Sequence, residues 1–318
     1  MAELPSRQSP PFVGRRAELR RLFAGLGQVQ QSRGLLVLVS GEAGVGKTSL
    51  ISEFLVQARA YLPAVLPLIT RCSFQTSSGD AYGPFRHIID ELLSQETTEV
   101  ESQGGQTPAK LRQFAAKMAR ALYELAPDLV GTMVPLGGVT LRAAQILLRE
   151  GGQPKESKDA AASTGDVPEQ IRIFDQYKAL LGAAAAEHQL ILVIEDLHWA
   201  DGPSLNLLSF LARHLDQLPI MLIGTYRPSE ILKHRDHRAH PVLKIERETI
   251  RYGLALKIEV NWLERNSIAD YIQRLYLPND FPEDFADWIV DRTQGNALFM
   301  AEILRQMADR GDLVFADG

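Results

Sequence analysis

The stretch GEAGVGKT, residues 41–48, constrains this chain more than any other. It fits the spacing G-x-x-x-x-G-K-S/T. Directly before it, LLVLV (35–39) is wholly apolar, which suits a strand buried on both faces of a sheet. Directly after it, residues 47–60 read as a helix. Strand, glycine-rich loop and helix N-terminus together build a cradle for phosphate. Backbone N–H groups turn inward around the oxygens, and the helix adds its positive end. Lys47 would bring a point charge to the β- and γ-phosphates, and the Thr48 hydroxyl would ligate Mg2+. Gly41, Glu42, Ala43, Gly44, Val45, Gly46, Lys47, Thr48 and Ser49 are therefore the candidate nucleotide contacts.

The pattern around this loop predicts the rest of the architecture. Further strands are expected at 65–72, 190–194, 219–225 and 254–260, with Pro67 assigning the second to a sheet edge. Helices at 16–31, 47–60 and 169–187 alternate with them, as in a parallel sheet covered on both faces. From residue 266 onward only helices follow. Ile268, Tyr271, Ile272 and Leu275 form one apolar stripe, and Phe285, Trp288 and Ile289 another. A third helix at about 297–310 is stopped by Gly311. The expected fold class is α/β: a P-loop NTPase with a five-stranded parallel sheet, a helical insertion and a C-terminal helical lid. The core is assigned to 1–260 and the lid to 261–318. The insertion spans about 83–168; its helical part, 109–149, lies between the polar segments 94–108 and 151–168.

Composition narrows the chemistry. A single cysteine, Cys72, rules out an intrachain disulfide and a thiolate metal cluster. Net charge is −5, so no global basic field draws the chain to nucleic acid or anionic membrane. No apolar run approaches 18 residues, and the N-terminus lacks the apolar core of a signal peptide. A soluble, cytoplasmic protein without a membrane partner is expected.

Two further strand ends carry chemistry. LILVIEDLHWAD (190–201) ends a strand in adjacent acids. One would hold Mg2+ and the other orient or deprotonate the attacking water. By order Glu195 takes the metal and Asp196 is the base, with the reverse register left open. Asp201 is better explained as the N-cap of the next helix, with Pro203 in its first turn. His198 and Trp199 are read as packing residues. LIGTYRP ends the next strand in a turn carrying Arg227, placed either to report on a γ-phosphate or to make a surface ion pair. HRDHRAH (234–240) reads as a polar loop. The locally basic 227–251 carries no nucleic-acid recognition motif, so no direct nucleic-acid contact is expected from this segment.

In combination and order these stretches resemble the signal-transduction ATPases with numerous domains (STAND), a branch near the AAA+ ATPases. The bacterial members most like it sit in large LuxR-type regulators and multidomain cyclase or kinase signalling proteins. FVGRRAEL (12–19) resembles the family's N-terminal motif, and TQGNALFMAEILRQM (293–307) its lid segment. The resemblance implies that Val13 and Gly14, with Arg15 beside them, lie near adenine, and that Ala297 stands where the family has an adenine-packing proline. It also implies a switch. ADP holds the lid closed, ATP favours a self-associating form, and hydrolysis resets it. Family members continue into a winged-helix domain and then sensor or effector domains, and LVFADG reads as the start of a strand. Effector or sensor domains beyond Gly318 are therefore expected. ATP is favoured over GTP because no N/T-K-x-D guanine-reading motif occurs. The rival readings are a non-hydrolysing nucleotide-binding scaffold, to which the Glu–Asp order of the acids and Ala297 lend support, and a P-loop motor or small-molecule kinase.

Lys47→Ala is expected to abolish tight Mg–ATP binding while the fold survives. Isothermal calorimetry beside a circular dichroism melt checks this, and unchanged affinity would remove the phosphate-loop assignment.

Overall fold

The computed structural model describes residues 10–31, 33–73, 81–94, 108–132, 168–232, 240–276 and 279–313. Its centre is a five-stranded parallel sheet in the order β2-β3-β4-β1-β5. The strands are β1 (Leu35–Ser40), β2 (Val65–Arg71), β3 (Gln189–Glu195), β4 (Met221–Tyr226) and β5 (Ala255–Glu259). Every residue of β1 and β4 is buried, which is why both read as unbroken apolar runs. Pro67 lies on edge strand β2, as its missing N–H requires.

Alternation along the strands sends side chains to two cores. On one face Val37, Val39, Ile191, Val193 and Ile223 pack against α1 (Arg16–Gln30) and α2 (Lys47–Tyr61). On the other, Leu36, Leu38, Leu192, Ile194 and Leu222 pack against a thicker helical layer. That layer holds α3 (Gly83–Ser94), α4 (Pro108–Leu125), α5 (Pro127–Thr132), α6 (Glu169–Ala185) and α7 (Gly202–Arg213). Short α8 (Pro228–Leu232) and α9 (Pro241–Arg251) follow β4. Phe85, Ile88, Phe114, Met118 and Leu122, all from the expected insertion, belong to this same core. The described part of the insertion is thus a continuation of one sheet face. The rest of it, 95–107 and 133–167, lies outside the described residues, as do residues 234–239 of the expected polar loop and 314–318 of the expected terminal strand.

A third cluster is formed by α10 (Arg265–Leu275), α11 (Phe285–Thr293) and α12 (Ala297–Arg310) around Ile268, Ile272, Ile289, Met300 and Leu304. Trp288 departs from expectation: it is exposed, stacked on Phe285, with the Arg292 guanidinium 3.7 Å from its ring centroid. Ala286, Ile289 and Thr293 make the buried row of α11, and Phe285, Trp288 and Arg292 make the row beside it. Asp201 caps α7 as expected, accepting from Ser204 N at 2.8 Å. Among the described residues no helix is long and apolar enough to cross a membrane.

Cys72 follows β2, its N–H bonded to Glu195 O at 2.9 Å, and burial pushes its thiol up to about 12. The native protein is therefore expected to give no reaction with Ellman's reagent at pH 8, and one equivalent per chain once unfolded. Prompt native reaction would mean that the β2–β3 edge opens readily.

Candidate nucleotide site

The carboxyl ends of β1, β3 and β4 converge on the loop between β1 and α2. Lys47 is buried and donates from Nζ to the loop's own carbonyls, Gly41 O at 2.7 Å and Glu42 O at 2.9 Å. Burial holds its pKa below the ordinary lysine value; Arg227 adds to that, and Asp196, Glu42 and Glu195 oppose it. The Glu42 carboxylate accepts from Ser229 N at 3.1 Å and Ser229 Oγ at 2.6 Å, stapling the loop to the turn after β4. From behind, buried Arg15 donates from Nη2 to Val45 O at 2.9 Å and Asn261 O at 2.5 Å. Arg15 thus braces the loop rather than pointing across it. Ser49 lies exposed in the first turn of α2.

The helical cluster closes over the loop through Asn296. Its Oδ1 caps α12, accepting from Leu298 N at 3.0 Å and Phe299 N at 3.2 Å, and its Nδ2 donates to Ala43 O at 3.3 Å. Leu298 N also donates to Gly44 O at 3.1 Å. Gly44 has φ +79°, and a Cβ there would stand 2.4 Å from Asn296 Oδ1, so only glycine allows the contact. Ala297 is partly buried beside it. Val13 is buried in the helical cluster, and Gly14, φ +71°, sits so close to Ser267 that a Cβ would meet its Oγ at 2.4 Å. The structure thus gathers the FVGR segment, the phosphate loop and the start of α12 around one place.

At the acidic end, Thr48 Oγ1 donates to Glu195 Oε1 at 2.8 Å. The other oxygen, Oε2, accepts from Arg71 through Nη2 at 2.5 Å and Nε at 3.0 Å. Arg71 was not anticipated. The signal was its position as the last residue of the second strand, because the β2–β3 register sets Arg71 directly opposite Glu195. Asp196 is left-handed, φ 58°, a conformation costly for most side chains but milder for aspartate. Its N–H donates to Thr225 Oγ1 of β4 at 2.9 Å. Around its carboxylate stand Arg71 Nε and Arg227 Nε, each at 3.8 Å, and His198 Nε2 at 3.9 Å. Arg227 is half-buried, aimed inward at Asp196 rather than out to solvent.

Thr48 and Glu195 offer hard oxygen donors within reach of one another. Mg2+ uses such a partial set together with phosphate oxygens and water, so the residues fit that ion. Among the described residues no cluster of three His, Cys, Asp or Glu forms a protein-only metal cage.

Residues 11–223 match the family model of the AAA ATPase domain. The chain belongs to this family. Curated relatives include an uncharacterized protein of Rhizobium meliloti, 26% identical over 93% of this chain and 27% of its own length. Another is the peroxide stress-activated histidine kinase mak2 of Schizosaccharomyces pombe, 22% identical over 74% of this chain and 9% of that protein. The chain therefore spans less than a third of the curated relatives it matches. Among solved structures, the Aeropyrum pernix ORC2 protein in its ADPNP–ADP complexes is 11% identical, covering 97% of this chain and 66% of that one with a TM-score of 0.50. At that identity the likeness shows the fold of the AAA ATPase domain alone.

Arg71 would compete with a Mg2+ ion held at Glu195. An ion pair this exposed, with 61% of the Arg71 side chain in solvent, contributes about 0.2–1 kcal/mol. Arg71→Ala is therefore expected to lower the Mg2+ concentration for half-maximal ATP binding by about 1.4- to fivefold. A Mg2+ titration of fluorescent-ATP binding checks this, and a rise instead would show that Arg71 helps to present Glu195.

Proposed function

We propose that this chain is the ATP-binding, slowly hydrolysing switch module of a signal-transduction ATPase of the STAND type, with nucleotide setting its conformation and self-association. The observation that carries this reading is the division of labour between the two acids. Glu195 is hydrogen-bonded to the Thr48 hydroxyl, whereas Asp196 stands apart from it beside Arg227. Thr48 and Glu195 are the residues to hold Mg2+, which would supply charge neutralisation between the β- and γ-phosphates. Lys47 exchanges the carbonyls of Gly41 and Glu42 for phosphate oxygens. Asp196 takes the proton of the attacking water. Arg227, its Nε kept beside Asp196, bonds the γ-phosphate through its terminal nitrogens and so distinguishes ATP from ADP.

Several features support slow turnover. Glu195 is held by Arg71, Lys47 by its own loop, and the loop by Asn296, so rearrangement precedes chemistry. The Asn296 and Leu298 bonds to the loop fit the closed form of a nucleotide-controlled lid formed by residues 261–318. Release of that contact is the step through which ATP would favour self-association. A histidine kinase among the relatives accords with a signalling context. The second reading, a module that binds nucleotide without hydrolysing it, draws on the Arg71–Glu195 pair and on Ala297 in place of a proline.

Phosphate release from Mg–ATP, measured across protein concentrations beside Asp196→Asn, tests the proposal. Turnover that falls at least tenfold in the variant, with a specific rate rising with concentration, is expected. Equal rates in both proteins would leave a binding module. Arg227→Ala is expected to narrow the ratio of ATP to ADP affinity, and equal losses for both nucleotides would remove its sensing role.

A further inference from the structure

Three buried nitrogens of the two residues His198 and Arg227 have no hydrogen-bond partner among the described residues: Nδ1 and Nε2 of His198, and Nε of Arg227. Burying such a group unpaired is costly, so a cluster of them in one place calls for an occupant. Two of the three face a single atom. His198 Nε2 stands 3.9 Å and Arg227 Nε 3.8 Å from Asp196 Oδ1. Those gaps are too long for direct hydrogen bonds. Each gap is the length one water molecule bridges, and a water shared by the three atoms would have the usual coordination of a buried water.

The local backbone builds this arrangement. The left-handed Asp196 turns the chain straight into a single 3-10 turn, Leu197–Trp199, closed by Trp199 N donating to Asp196 O at 2.8 Å. That turn brings the ring of His198 back toward the carboxylate two residues before it. The imidazole is fixed there: its side chain is 1% exposed and lies against the Trp199 ring at 5.1 Å between centroids. Burial pushes its pKa down to about 4, with Asp196 opposing only in part, so the ring is neutral at pH 7.

We propose that His198 is a positioning residue for the water of ATP hydrolysis, its Nε2 holding one water molecule together with Asp196 Oδ1 and Arg227 Nε. This rests on the reading of Asp196 as the base. The hydrogen count closes in the Nδ1–H tautomer. The water accepts from Arg227 Nε–H and donates one hydrogen to Asp196 Oδ1 and the other to His198 Nε2, which leaves one lone pair to face phosphorus. As the new O–P bond forms, the bond between the γ-phosphorus and the β–γ bridging oxygen breaks. ADP keeps that electron pair, and the water's proton passes to Asp196.

His198→Phe keeps the ring against Trp199 and removes both nitrogens; His198→Gln restores a polar atom. Three quantities are read for each variant and the parent: ADP affinity, single-turnover ATP cleavage, and the gain in ADP affinity when aluminium fluoride is added to build the transition-state complex with its axial water. For His198→Phe the expected result is ADP affinity within twofold of the parent, with cleavage and the fluoride gain both reduced at least tenfold. Part of each should return in His198→Gln. Parent-like cleavage and fluoride gain in His198→Phe would overturn the inference while leaving the proposed function intact. So would loss of ADP affinity in both variants, which would make His198 structural. A parent that neither cleaves ATP nor gains affinity with fluoride would remove the proposed function, and this inference with it.

Discussion

The parallel pairing of β4 with both β1 and β3 is the constraint on which the rest of the structure depends. In that pairing Ser40 aligns with Tyr226, and Ile194 with Gly224, so the strands end on one edge within a residue or two of each other. The phosphate loop, the two acids and Arg227 all leave the sheet from that edge. Thr225 ties it together, because its hydroxyl accepts the N–H of Asp196 across the strand boundary. A one-residue slip would turn Thr225 to the other face and free a backbone that sits in an uncommon conformation. The site is therefore a property of the sheet edge before it is a property of any single motif.

Around that edge the loop is held from three directions. Arg15 grips Val45 O from behind, Ser229 takes Glu42 at the side, and Asn296 covers Ala43 and Gly44 from above. Each contact comes from a different part of the chain, so the loop's shape reports on elements far apart in sequence. The Asn296 contact is the most economical. One side chain both caps α12 and touches the loop, so the helix cannot withdraw from the loop without the capping residue changing partners.

Much of this fold was legible because burial on both faces writes itself as unbroken apolar runs. LLVLV and LILVI could hardly be anything but central parallel strands, and Pro67 marked the edge. The order β2-β3-β4-β1-β5 was not legible, since nothing local says that the first strand lies between the fourth and the fifth. Trp288 was placed inward because an aromatic next to Ile289 fits a helical stripe; α11 is short enough that a neighbouring row can stay in solvent. At the site, the glycine loop and the acid pair declare themselves by spacing. Arg71 and His198 do not, since their significance comes from strand register and from a left-handed residue. Asn296 could have been found. An asparagine just before a helix is a capping signal, but attention goes to Ala297 beside it.

Arg71 and Glu195 form a lopsided pair: the guanidinium is mostly in water and the carboxylate is almost wholly buried. Dissolved ions can screen the first and hardly reach the second. Raising the electrolyte concentration therefore loosens the clasp from one side only. It leaves Glu195 with its Thr48 bond and its low-dielectric surroundings, and would leave it freer to accept a divalent cation. An edge-strand arginine of this kind makes the resting site responsive to the ionic composition around it, a sensitivity that an arginine on a central strand, shielded on both sides, would not confer.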